Sequence, residues 1–149
     1  WDAESGSAIA EFCEHSALVG LLASARVDAL LRTTLPERAP RVLLAAGCTD
    51  GSLGVWDGEA LLPVAHVPAA HRAAVTALDA CPFGVVSGAE RGVHLWRASD
   101  LLAGRAAVPA VLSDAPDVVW RVVASRSRVA VGYQVSGATH IDVYAFDAP

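Results

Sequence analysis

Histidine and carboxylate side chains are the residues of this 149-residue chain whose chemistry would matter most in an enzyme or a metal site. His15 and His71 each stand just before an apolar run, and Asp50 and Glu90 each lie between two apolar runs. A histidine beside a carboxylate could serve general acid–base catalysis, and two acids could together hydrolyse a glycosidic bond. The spacing of these residues decides between such uses and a structural one.

Both acids recur in the same local context. Asp50 stands six residues before Trp56, Glu90 stands six residues before Trp96, and the two tryptophans are 40 residues apart. Each acid therefore has its own tryptophan, which indicates two copies of one structural unit instead of a converging catalytic pair. We predict no catalytic residue, no cofactor and no metal ligand in this chain.

The remaining histidines do not change that prediction. His66, His94 and His140 are scattered, and no HxxxH or zinc-type spacing of His and Cys occurs. A metal pair of His66 and His71, five residues apart, is the weaker alternative. The sequence also lacks the motifs GxSxG, GxGxxG and GxxxxGK[ST] that mark common nucleophile and phosphate sites.

Two β-hairpins are predicted to position the acids and the tryptophans. In 43–56 an apolar run leads into Asp50-Gly51 and then into an alternating run that ends at Trp56, and 85–96 repeats this order. Asp-Gly suits a tight turn that needs a positive φ, and alternation places one face of each strand inwards. The 40-residue period is typical of propellers and solenoids.

The histidines repeat in step with the hairpins. Trp1 precedes His15 by 14 residues, and Trp56 precedes His71 by 15. Two independent landmarks, the tryptophan and the histidine, therefore follow the same period.

A strand is predicted after each histidine, at Ala17–Ser24 and at Ala74–Ala80. An outer strand is predicted at Glu59–Ala65, and the inner strand of the third unit at Val118–Ala124. The first stretch also fits helical spacing with Ser16 as an N-cap, but the later copies place a strand there. The stretch 26–40 holds three Arg and two Pro, breaks the period and is predicted to be an inserted loop or short helix.

These landmarks resemble those of the WD-repeat β-propeller family, which combines a histidine before an inner strand, an Asp-Gly type of turn and a closing Trp-Asp. The resemblance covers nearly the whole chain and implies an all-β fold of four-stranded antiparallel blades in a partial, open arc. It implies repeats at 1–57 with an insert at 26–40, at 58–97 and, in degenerate form, at 98–149. Structural roles are implied for His15, Asp50, Trp56, His71, Glu90 and Trp96. The histidine of a unit is expected to accept the indole N–H of the tryptophan on one ring nitrogen and to donate from the other to the carboxylate of the turn.

Several positions depart from the family pattern. Cys48 and Gly88 occupy the place of the usual Ser or Thr two residues before the acid, and Arg97 replaces the Asp after the second tryptophan. The third unit has no histidine at the expected place, and in its last hairpin the stretch 134–139 replaces the short acidic turn. Its closing aromatic residue is Tyr144 or Phe146, with the second favoured by the similarity of its context to that of the first tryptophan.

Composition narrows the classes of partner. The net charge is −5 and all 11 basic residues are Arg, so no nucleic-acid footprint is evident. The longest apolar segment, 17–31, contains Arg26 and Asp28 and is too short to span a membrane.

Cys13, Cys48 and Cys81 form an odd set without CxxC spacing, which favours reduced core thiols and a cytoplasmic or nuclear location.

The function that follows from these observations is a non-enzymatic scaffold or adaptor that presents propeller loops to peptide or protein partners. The alternative is a regulatory propeller domain of a larger multidomain enzyme. The expected partners are other proteins and the remaining blades of a longer chain. Candidate partner-binding residues are Arg72, Arg91, Trp120 and Arg121. For Trp120 a place in the core is favoured over this role, and for the three arginines ordinary solvated charge is favoured.

Overall fold

Residues 4–5, 17–26, 42–103, 107–114 and 116–145 are described by the structure, which is a computed structural model. In these residues eleven strands and one short helix follow in chain order. They are β1 (Val19–Arg26), β2 (Val42–Cys48), β3 (Leu53–Asp57), β4 (Pro63–Val67), β5 (Val75–Cys81), β6 (Gly84–Ala89), β7 (Gly92–Arg97), α1 (Ala98–Leu102), β8 (Ala110–Ser113), β9 (Val118–Ala124), β10 (Arg128–Val135) and β11 (Ala138–Ala145).

The strands form three antiparallel sheets, which we call blades 1, 2 and 3. Blade 1 has the order β1-β2-β3-β4, blade 2 the order β5-β6-β7-β8, and blade 3 the order β9-β10-β11. The inner strands β1, β5 and β9 contact one another in turn, so the blades follow each other around an arc. The predicted all-β, partial propeller is confirmed. No helix in the described ranges is long and apolar enough to cross a membrane.

Strand register makes the three blades directly comparable. Each inner strand carries one bulge near its start, where Gly20, Thr76 and Trp120 are skipped in the pairing with the second strand of the blade. A bulge leaves its extra residue outside the regular ladder. These three residues therefore occupy the same place in their blades.

Alternation along the strands builds two cores, one at each junction between blades. Leu43 and Val55 of blade 1 share a cluster with Val85 and Trp96 of blade 2. On the other face of blade 2, Val86 and Val93 share a second cluster with Val119, Val122, Val129 and Val131 of blade 3. Because successive side chains of a strand point to opposite faces, blade 2 contributes alternate residues to each core.

Most predicted strands are found, with shifts at some ends. The strand predicted at Ala17–Ser24 is confirmed as β1, and Val118–Ala124 is confirmed as β9. The outer strand predicted at Glu59–Ala65 is wrong at its start, because it begins at Pro63. Asp57 accounts for the shift, since its carboxylate accepts the backbone N–H groups of residues 59 and 60 at 2.8 and 3.0 Å and holds them in a turn.

The third hairpin is tighter than predicted. The sequence indicated a loop over 134–139, but β10 continues to Val135 and only Ser136 and Gly137 form the turn. Tyr144 pairs with Val129 as Trp96 pairs with Val85. The register therefore makes Tyr144 the counterpart of the tryptophans. Phe146, the favoured candidate, lies outside the described residues.

Candidate functional site

A buried chain of hydrogen bonds lies at the junction of blades 1 and 2. The indole N–H of Trp96 donates to Ser87 Oγ at 2.8 Å, and the same hydroxyl lies 2.7 Å from His71 Nε2. The three residues are buried, and they come from β7, β6 and the loop before β5. The chain thus connects an entire hairpin to the loop that precedes the inner strand.

The donors and acceptors of this chain can be assigned from the chemistry of its members. An indole N–H only donates, so Ser87 accepts from Trp96 and its own hydrogen is free to be donated to His71 Nε2. The proton of a neutral His71 then lies on Nδ1. The expectation that His71 binds the indole directly is wrong, because Ser87 lies between them.

Ser87 is the member that sequence reasoning missed. It lies three residues before Glu90, whereas the hydroxyl residue of the pattern was sought two residues before it, at Gly88. The pairing of β6 with β7 is the signal that could have found it. Ser87 pairs with His94 and lies two residues along the strand from Val85, which pairs with Trp96. Side chains two residues apart share a face, which puts Ser87 beside the indole.

A second histidine packs on the first. The rings of His71 and His94 are stacked with centroids 4.3 Å apart and planes 10° apart, and His94 also meets Trp96 edge-on at 5.8 Å. His94 Nδ1 donates to the carbonyl of Ala70 at 3.1 Å. A Cβ at Gly92 would lie 3.1 Å from His94 Nε2 and 3.3 Å from His71 Nδ1, so a side chain there would press against both rings.

Burial disfavours the charged form of both histidines. It lowers the pKa of His71 from 6.5 to about 4, with a smaller contribution from the charge that His94 would carry. Burial also lowers the pKa of His94, against the opposing effect of its hydrogen bond to Ala70. Both rings are therefore neutral at pH 7, as stacked rings in an apolar junction require.

The carboxylate of the second hairpin does not join this site. A carboxylate hydrogen-bonded to the histidine was expected, but Glu90 extends into solvent and its Oε1 lies 3.9 Å from Nε of Arg91. Asp50 of the first hairpin is exposed, and its Oδ1 accepts from the backbone N–H and the hydroxyl of Ser52 at 2.9 and 2.6 Å. In these contacts each carboxylate therefore interacts with a residue of its own turn.

The first unit lacks the serine of the second. Trp56 is buried, and the register places Ala46 where blade 2 has Ser87. His15 lies outside the described residues. Cys48 is a buried thiol at the end of β2, and burial raises its pKa, as it does for the buried thiol Cys81. Neither thiol has the exposed, cation-rich setting of a reactive cysteine.

The predicted partner-binding residues fall in two places. Arg72 and Arg91 lie in turns at one end of the blades and are both exposed. Trp120 and Arg121 lie together on β9, at the bulge of blade 3, and Trp120 is 48% exposed. The core position favoured for Trp120 is therefore wrong for the described blades.

Ser87 and His71 are close enough to form a catalytic pair, but they do not meet the other requirements of catalysis. Ser87 Oγ and His71 Nε2 are as close as a nucleophile and its base. However, the hydroxyl is fully buried and already accepts the indole N–H. Within the described residues no cluster of three or more His, Cys, Asp or Glu side chains could hold a metal ion. The hydrogen bonds of this site instead suit a structural role, in which they fix the β6–β7 hairpin at the junction with blade 1.

Comparison with known proteins places this geometry in a fold class. No protein-family model and no curated protein sequence matches the chain. A structure of the mitotic checkpoint complex contains a chain that aligns with a TM-score of 0.67 and 19% identity over 95% of this chain and 39% of its own length. U3-55K aligns with a TM-score of 0.65 and 18% identity over 98% of this chain and 44% of its own.

The WD40 repeats of RRP9 align with a TM-score of 0.55 and 16% identity, covering 83% of this chain and 36% of that one. This chain thus spans about two fifths of the length of the structures it matches. The predicted resemblance is confirmed at the level of fold: the chain has the WD-repeat propeller fold, here as an arc of three blades.

Proposed function

We propose that this chain is a non-enzymatic interaction module that binds peptide or protein partners through the turns at one end of its blades. This end comprises the turns 49–52, 68–74, 90–91, 116–117 and 136–137, and we call it the turn rim. A location inside the cell, in the cytoplasm or the nucleus, is part of the same proposal.

The observation that carries the proposal is that backbone hydrogen bonds join turns of all three blades. The N–H of His71 donates to the carbonyl of Gly51 at 3.0 Å, which links the rim of blade 1 to that of blade 2. The N–H of Arg91 donates to the carbonyl of Pro116 at 2.8 Å, which links blade 2 to blade 3. A surface held in this way is preorganised and loses little conformational entropy when it binds.

Glycine is required at the first of these links. Gly51 has φ +84°, and a Cβ there would collide with the carbonyl oxygen of His71 and lie 2.7 Å from that of Ala73. The second link uses Arg91 at φ 60° in the equivalent turn. The backbone of Arg91 is thus held in a conformation that favours glycine. Its long, positively charged side chain is exposed in the turn rim.

The chemistry of the rim supports recognition of polar, acid-containing segments. Arg72 is exposed and has no ion-pair partner in the described part of the chain, and Arg91 has only the distant contact with Glu90. Arginine is enriched among the residues that dominate interface energies, because its planar fork binds carboxylates through two hydrogen bonds.

The test begins with selection of binders from a displayed peptide library against the immobilised chain. The dissociation constants of the selected peptides are then measured by calorimetry for the parent and for the rim variants Arg72→Glu and Arg91→Glu. We expect each rim variant to bind at least tenfold more weakly, while Arg97→Glu and Arg128→Glu, at the opposite end of the blades, bind as the parent does.

Failure to select any peptide, or weakening by the opposite-end variants alone, would contradict the proposal. All four substitutions replace exposed arginines. Thermal unfolding of each variant shows that any lost binding is not lost folding.

A further inference from the structure

A second polar cluster lies at the junction of blades 2 and 3, apart from the histidine site. The phenol hydroxyl of Tyr133 donates to Asp142 Oδ2 at 2.7 Å, and the hydroxyl of Tyr144 makes a longer contact with the same oxygen at 3.4 Å. Both tyrosine side chains pack against the apolar core that blades 2 and 3 share. The cluster therefore lies on the face of blade 3 that is turned towards blade 2.

Strand register assembles this cluster. Asp142 of β11 pairs with Val131 of β10, while Tyr144 and Tyr133 lie two residues further along their own strands. Paired residues, and residues two apart on one strand, point to the same face of a sheet. His140 pairs with Tyr133 on this face, and the two rings are stacked with centroids 5.4 Å apart and planes 17° apart. The carboxylate thus has a phenol on each side and a second aromatic ring beyond one of them.

The carboxylate of Asp142 lacks a positive partner. Both phenols use Oδ2, and among the residues that the structure describes Oδ1 accepts no hydrogen bond and no arginine or histidine forms an ion pair with either oxygen. The hydrogen bond to Asp142 raises the pKa of Tyr133, and burial together with the charge of Asp142 raises the pKa of Tyr144. Both phenols are therefore donors at pH 7, and they hold an ionised carboxylate in place.

A charge at this position is not needed for packing between blades. By register Asp142 corresponds to His94 of blade 2, and Tyr144 corresponds to Trp96. The junction of blades 1 and 2 uses both of these residues as neutral side chains, since burial disfavours the charged form of His94. The ionised group of blade 3 therefore has no structural counterpart in blade 2, and a positively charged ligand would account for it.

A ligand can reach the cluster from solvent. Tyr133, Asp142 and Tyr144 are half-buried, and His140 is exposed. Water screens a half-buried carboxylate less than one on an open surface, so a cation gains more by pairing with it. The nearly parallel rings of Tyr133 and His140 add an aromatic face beside this charge, and aromatic faces attract cations.

We propose that this cluster binds the guanidinium group of an arginine side chain from a partner protein. The guanidinium donates to Oδ1 of Asp142 and lies against the stacked rings of Tyr133 and His140. An arginine suits this place better than a lysine, because its charged group is planar, weakly hydrated and able to stack on aromatic rings. The site does not depend on the turn rim, whose arginines bind groups of the opposite charge.

The experiment titrates acetyl-arginine amide into the isotope-labelled 149-residue chain and follows the backbone amides by two-dimensional NMR. We expect saturable shifts centred on Tyr133, His140 and Asp142, with a dissociation constant in the millimolar range. Acetyl-citrulline amide, which keeps the shape of arginine without its charge, should bind at least tenfold more weakly. Acetyl-lysine amide, which keeps the charge without the planar group, should also bind more weakly than the arginine probe.

Two variants of equal charge separate this site from general attraction to an acidic chain. Asp142→Asn keeps the size of the side chain and removes its charge, so it should raise the dissociation constant of the arginine probe at least tenfold. Asp114→Asn removes the same charge from an exposed position in the turn before β9, and it should leave the dissociation constant unchanged. Circular dichroism establishes that both variants are folded.

Three results would overturn the proposal: no saturable shift with the arginine probe, equally tight binding of the citrulline or lysine probe, or unchanged binding in Asp142→Asn. The three probes are compared on the parent chain, so this part of the test does not depend on the folding of any variant. Binding through the turn rim is measured with other peptides and other variants, so failure here leaves the proposed function standing.

Discussion

Acidification should weaken the junction of blades 1 and 2 through the buried His71. The pKa of this ring falls from 6.5 to about 4 in the folded chain, because burial removes the water that would stabilise its charged form. Between these two pH values the unfolded chain binds the proton more readily than the folded chain does. Stability is therefore highest above pH 6.5, falls as the pH decreases from 6.5 towards 4, and loses nothing further from this group below that.

The magnitude follows from the difference in pKa. A full shift of this size corresponds to about 3 kcal/mol, and about 2 kcal/mol of it is lost between pH 7 and pH 5. His94 adds a loss in the same direction, since burial also lowers its pKa. Once both rings are charged they repel each other across the 4.3 Å stack.

The assay is urea unfolding at pH 7, 6 and 5, followed by circular dichroism, for the parent and for His71→Gln. We expect the free energy of unfolding of the parent to fall by about 2 kcal/mol more than that of the variant across this range. Val111→Gln, which removes no titratable group from an exposed position of β8, is the control and should keep the pH dependence of the parent. Equal pH dependence in the parent and in His71→Gln would refute the burial argument.

Three further substitutions test separate contacts, each by urea unfolding at pH 7. Trp96→Ala should lower the free energy of unfolding by about 3–5 kcal/mol because it leaves a large cavity between blades, and a loss below 1 kcal/mol would contradict the packing. Arg91→Gly should raise it by about 0.5–1 kcal/mol, because the residue adopts φ 60°, whereas Arg91→Ala should not. Asp79→Ala should lower it by about 1–3 kcal/mol, because the N–H of Ala124 in blade 3 loses its acceptor at 2.8 Å; an unchanged midpoint would show that water replaces the carboxylate.

Much of the fold could be predicted because its signals are local. Alternation and a turn of Asp-Gly type identified the hairpins, and the 40-residue period identified their repetition. Even the β9 strand was located to the residue, although no histidine stands before it at the expected place. The strand that was misplaced, β4, follows a turn held by the carboxylate of Asp57, a contact that apolar patterning does not report.

The candidate site was only partly predictable. His71 and Trp96 were identified as a pair by their spacing, but the hydroxyl between them was not, because the register of β6 against β7 decides which residue of the run 85–89 faces the indole. Glu90 was assigned to the histidine by its position in sequence. The geometry of its turn instead directs its side chain to solvent.

The sequence by itself determined that this chain forms repeated antiparallel hairpins with tryptophans at their closing strands, since turns and alternation act over a few residues. Only the tertiary structure decided which residues meet between blades: Ser87 with His71 across 16 residues, and Asp79 with Ala124 across 45. Gly47 and Gly88, which face Val75 and Val119 of the next inner strand, show the same division. Their place in the strand is visible in the sequence, but their necessity comes from a neighbouring strand that approaches to within the distance a side chain would fill.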